Sequence, residues 1–187
     1  GRRSNLRGLG LGELEGAGID PNTAQLGDSN VFVAGDASTF RPLLHEAADE
    51  GFIAGTNAAR WPHVHPVERR TPLAVVFTDP NIAVVGQRYC DCAETMAIGS
   101  VDYGGQGRAR VMNQNRGVVR IYGDPSSRRL LGAEMLGPRV EHTAHLLAWS
   151  IQQGLTVDDA LKMPFYHPVI EEGIRTALQD LSRSMSR

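Results

Sequence analysis

The second half of this 187-residue chain predicts an α+β fold, an antiparallel sheet with flanking helices. Three observations carry that expectation. LAVVFTDPNIAVVG (73–86) sets two apolar runs around Asp79-Pro80-Asn81, the pattern of a hairpin. RGVVRIYGDPSSRRLLGAEMLG (116–137) repeats the logic, with Val118, Arg120 and Tyr122 alternating against Val119 and Ile121 before a GDPSS turn. Strand signals then stop and helical spacing takes over.

The elements follow in order. Residues 1–30 are Gly-rich and polar, and Asp20-Pro21-Asn22 and Gly27-Asp28 mark turns. VFVAGD (31–36) predicts a short buried strand whose carboxyl end delivers Asp36 to a loop. LLHEAADEGFIAGTNAAR predicts a helix over 43–60, with Leu44, Ala47, Ala48 and Phe52 at helical spacing. Trp61-Pro62 ends it, and WPHVHPVERRTP reads as a linker, so the domains are expected to divide into 1–66 and 67–187. EHTAHLLAWSIQQ (141–153) predicts an amphipathic helix closed by Gly154, and Thr156 caps a short one through Leu161. A last helix is expected from Pro168 to about Ser184.

Composition bounds the function. A net charge of -2 gives no reason to expect nucleic acid or an anionic membrane as partner. The apolar runs are far too short to span a bilayer, and without an opening secretory segment the default address is cytoplasmic. The chain opens without Met in a Gly-rich stretch and is expected to be a piece of a longer protein. Cys90 and Cys92 are separated by a single residue, too close for an easy disulfide and too few for a zinc site. His63 and His65 have no third ligand nearby, so no metal is expected. GLGLGELEG (8–16) follows no strand and lacks dinucleotide spacing.

MPFYHPVIEEG (163–173) is the segment that points to chemistry. Pro is favoured at the first helical position and acidic residues complement the helix dipole, so a purely local reading accounts for most of it. Nothing in that reading requires His167, because histidine is a mediocre cap beside Ser, Thr or Asp. An imidazole at a helix mouth with a carboxylate a turn inward also suits general acid/base work.

VFVAGDASTFRPLLHEAADEG, FTDPNIAVVG and HPVIEEG, in that order, resemble the carboxyl-terminal part of the flavin-dependent pyridine nucleotide-disulfide oxidoreductases, and most closely the dihydrolipoyl dehydrogenases among them. The resemblance implies the exit of an NAD domain at the Gly-rich opening and the last piece of an FAD domain over about 20–65. A dimerisation domain would follow from about 70. It implies FAD and NAD as cofactors of the parent, a homodimer, and a dithiol substrate of lipoyl type. Asp36 would bond the ribityl chain of FAD, and Leu43, Leu44 and His45 would bring backbone near the flavin ring. His167 would be the acid/base and Glu172 its partner, while Glu171 has no counterpart. Phe165-Tyr166 depart from the family's usual His-Ala, and the redox cysteine pair and Gly-rich cofactor loops lie outside these residues. Alternatives that stay open are a non-catalytic dimerisation module and another member of the family, of mercuric reductase, glutathione reductase or transhydrogenase type.

Overall fold

The structure, a computed structural model, describes residues 4–14, 16–92 and 96–186. Gly1–Arg3, at the head of the stretch read as an NAD-domain exit, lie outside the described residues. The chain divides into two compact units, Gly1–Arg69 and Arg70–Arg187.

The first unit is organised around helix α1 (Leu44–Arg60), with Leu43 as its N-cap and Trp61 as its C-cap. Its buried stripe is not the expected apolar one. Glu46, Glu50, Ile53 and Asn57 are buried, while Leu44 and Phe52 point outward. The polar stripe is tolerated because each group finds partners. The Arg69 guanidinium lies 2.6 Å from Glu46 and 3.3 Å from Glu50, and Arg41 lies 3.2 Å from Glu46. Asn57 donates to the Thr23 and His65 carbonyls and accepts from the His65 N–H, stitching the chain after the helix to the chain before it.

VFVAGD does not form the expected strand. Phe32 makes a single bridge to Gln25, and Gly35–Ala37 is a turn of 3-10 helix. The reason lies at Gly35. Gly35 adopts φ 70, which turns the chain, and its N–H goes to the Glu50 carboxylate at 2.7 Å instead of to a neighbouring strand.

The second unit is a five-stranded antiparallel sheet in the order β1-β2-β5-β4-β3. Its strands are β1 (Leu73–Val76), β2 (Asn81–Gly86), β3 (Ala97–Asp102), β4 (Val118–Gly123) and β5 (Leu130–Gly137). A four-residue helix α2 (Tyr89–Cys92), which carries the exposed Cys90, lies between β2 and β3. Helix α3 (Gly107–Val111) lies between β3 and β4. After the sheet come α4 (Val140–Gln152), α5 (Val157–Lys162) and α6 (Glu172–Ser184).

Pairing Val85 with Ala133 and Ala133 with Ile121 puts these residues on one face. Ala83, Met135 and Val119 share that face, and it is the buried one. Helices α4 and α6 cover it. On α6 the buried residues Ile174, Ala177, Leu178 and Leu181 recur at 3, 4 and 7. The short α5 opens with a capping box: Thr156 Oγ1 accepts from the Asp159 N–H, and the Asp159 carboxylate accepts from the Thr156 N–H.

Two elements were not foreseen, β3 and α3. In AIGSVD a central glycine and flanking polar residues blur the strand alternation. Gly99 has a structural reason, because a methyl there would collide with the backbone of α6 at Ala177 and Leu181. The last helix also begins later than expected, at Glu172 rather than Pro168. Residues 168–171 form a turn outside the helix, since the Val169 N–H bonds back to the Glu172 carboxylate at 3.1 Å. Among the described residues no helix is long and apolar enough to cross a membrane.

Candidate functional site

Glu172 is the first residue of α6, and its carboxylate folds back over the turn that precedes the helix. Oε2 accepts from the Val169 N–H, and Oε1 lies 2.9 Å from Nδ1 of His167. A carboxylate can only accept, so Nδ1 is the nitrogen that carries the hydrogen. Nε2 then holds the lone pair of the neutral ring, and it has no partner among the described residues. The imidazole side chain is 80% exposed, whereas Glu172 is 29% exposed. Donation from His167 and from the Val169 N–H holds the Glu172 carboxyl below the usual carboxylate range. The pair is therefore an oriented imidazole with one nitrogen fixed by a carboxylate and the other presented outward. That arrangement can take a proton from a donor at Nε2 and stabilise the resulting imidazolium through Nδ1.

Beside the pair runs an apolar groove of about 530 Å³, to which α4 contributes Leu146 and Trp149 and the 163–166 segment contributes Met163, Phe165 and Tyr166. Trp149 is 68% exposed and Tyr166 78% exposed.

The other predicted residues lie in the first unit. Asp36 is exposed at the middle of the Gly35–Ala37 turn. Leu43 caps α1 without a side-chain bond, and Leu44 and His45 open the helix exposed. A helix start without a side-chain cap leaves its leading N–H groups for water or a ligand, and its dipole favours negative charge. Glu50, which the motif reading passed over, is 2% exposed and accepts from the Gly35 N–H and from Ser38 Oγ at 2.8 Å. It braces the turn that carries Asp36. A glutamate inside an Ala-rich helix was the available signal. Among the described residues no group of three or more His, Cys, Asp or Glu is placed to hold a metal.

Residues 73–178 match the family model of the pyridine nucleotide-disulphide oxidoreductase dimerisation domain. The chain belongs to this family. A dihydrolipoyl dehydrogenase of Haloferax volcanii is 31% identical over 155 residues, covering 81% of this chain and 32% of that protein. The human mitochondrial dihydrolipoyl dehydrogenase is 30% identical over 187 aligned residues, covering 95% of this chain and 36% of that protein. Among solved structures, LpdA of Mycobacterium tuberculosis superposes with a TM-score of 0.77 at 26% identity, over 95% of this chain and 40% of that one. The HOCl-induced flavoprotein disulfide reductase RclA of Escherichia coli shares the fold, with a TM-score of 0.71 at 22% identity over 98% of this chain and 40% of that one. The chain thus spans about a third of the length of the curated relatives it matches.

Proposed function

We propose that this chain is the carboxyl-terminal region of a dihydrolipoyl dehydrogenase, a flavoprotein that oxidises dihydrolipoyl dithiols with NAD. The observation that carries the proposal is the 2.9 Å contact between His167 Nδ1 and Glu172, with Nε2 left facing outward. A thiol of the dithiol gives its proton to Nε2, and the thiolate that remains is the nucleophile for disulfide exchange. Glu172 holds the ring in the tautomer that makes Nε2 basic, then stabilises the imidazolium. The cysteine disulfide that the thiolate attacks belongs to a segment of the parent outside these 187 residues.

FAD and NAD are the cofactors of this reading, and FAD, when bound, supplies the two-electron relay from dithiol to nicotinamide. The first unit has residues that fit it. Asp36 offers an exposed carboxylate that can accept from a ribityl hydroxyl. The start of α1 at Leu43, Leu44 and His45 offers N–H groups and a positive dipole end to the flavin ring, where negative charge gathers on reduction. The active form is a homodimer. Leu146, Trp149, Met163 and Tyr166 expose an apolar face of the kind a second copy covers, close to His167.

The test is turnover by the full-length flavoprotein with three substrate pairs: dihydrolipoamide with NAD, glutathione disulfide with NADPH, and Hg(II) with NADPH. Dihydrolipoamide and NAD should give a kcat/KM at least about a hundredfold above the other two, the margin a site built for one substrate commonly reaches. Preference for either other pair would overturn the substrate assignment.

A further inference from the structure

Glu172 can hold His167 only if the first turn of α6 is itself held, and two buried residues of one neighbouring turn contact it. We propose that the Tyr103–Gln106 turn, which follows β3, is a positioning clamp that fixes the start of α6 and so aims the Glu172 carboxylate at His167. The inference rests on reading the pair as the acid/base for its consequence, and on the geometry alone for its substance.

The first contact is the Tyr103 ring. Tyr103 is fully buried, and its ring lies between two glycines. A methyl on Gly137 would sit 2.5 Å from ring carbons Cδ2 and Cε2, and a methyl on Gly173 would sit closer still to Cε1. Real carbon contacts do not approach so closely, so both positions must lack a side chain for the ring to fit. Gly173 directly follows Glu172, and the ring therefore rests on the same turn that carries the carboxylate. The hydroxyl is buried without a partner among the described residues, which leaves the ring's shape as the feature that matters.

The second contact is Gln106, itself buried. Its Nε2 donates to the Val169 carbonyl at 2.7 Å, while its Oε1 accepts from the Ala109 N–H at 2.6 Å. Val169 gives its own N–H to Glu172 Oε2. Its peptide units are thus gripped by Gln106 on one side and Glu172 on the other. The turn is in turn anchored to the sheet, because the Tyr103 N–H donates to the Gly117 carbonyl at 2.9 Å and the Asp102 carboxylate accepts from the Gly104 N–H. Strand β3 delivers this turn, so the sheet sets the place of the pair through Tyr103 and Gln106.

The experiment is nitrogen-15 NMR of the His167 ring in the 187-residue chain, at an alkaline pH where the ring's own nitrogen shifts report the neutral form. Wild type should show His167 mainly as the Nδ1–H tautomer. Gly173→Ala, and separately Gln106→Met, should shift it mainly to the Nε2–H tautomer that an unconstrained histidine side chain favours, with amide spectra elsewhere in the sheet retained. Tyr103→Leu added to Gly173→Ala should restore the Nδ1–H form, because it makes room for the new methyl. Should Gly173→Ala fail to fold, Gln106→Met decides alone. An unchanged tautomer in every folded variant would overturn the clamp. The readout is geometric, so a parent enzyme that proved to act on another substrate would leave this result standing.

Discussion

Glu172 shows how much a single side chain carries here. It opens α6, accepts from a backbone N–H three residues back and fixes the ring five residues back. Its carboxyl sits below the ordinary value of 4.5, so the folded form favours the ionised state. That contribution is complete above the range of an unfolded glutamate and is lost as the pH falls below 4.5 through the lowered value. Urea midpoints between neutral and acid pH should therefore fall less in Glu172→Gln than in wild type; an equal fall would contradict the reading. Tyr103 makes the converse case. Its hydroxyl lacks a partner, and an unsatisfied buried polar group costs about 1–3 kcal/mol. Tyr103→Phe should leave stability unchanged or raise it by about 1 kcal/mol in urea unfolding. At this scale the contact between His167 and Glu172 could be expected from their motif, and the structure sets them 2.9 Å apart. Glu50, Gln106 and Tyr103 were not, because each acts through contacts with residues distant in sequence.

At the scale of elements, legibility followed local pattern. The hairpin of β1 and β2, the β4–β5 pair, α4 and α5 were expected within a residue or two because turn signals and apolar periods mark them. VFVAGD has a strand's composition but almost no pairing partner, and composition alone cannot reveal that. Strand β3 hid behind Gly99, whose missing side chain is what admits the α6 backbone. Gly99→Ala should lower stability by about 1–3 kcal/mol in urea unfolding, the usual range for overpacking. A variant as stable as wild type would mean that α6 does not lie so close. The onset of α6 differs because Pro168 is a good first helical residue in general, whereas here the Glu172 carboxylate takes the Val169 N–H and holds residues 168–171 in a turn.

For the molecule as a whole, the family and its dimerisation domain were legible from three motifs in order, and the match over 73–178 shows them. The exposed apolar face was not, since exposure of Trp149 and Tyr166 is a property of the folded unit. If that face joins two copies, Trp149→Glu should convert dimer to monomer in sedimentation velocity while leaving the far-ultraviolet spectrum intact. A persistent dimer would move the interface elsewhere. The central claim remains that His167 carries a proton, steered by Glu172. Its most direct test is the rate of flavin reduction by dihydrolipoamide in the full-length flavoprotein, with His167→Gln compared at equal flavin content. Loss of a general base commonly costs about 10²–10⁴-fold, so the variant should be slowed by at least about a hundredfold. Reduction within about twofold of wild type would contradict the account.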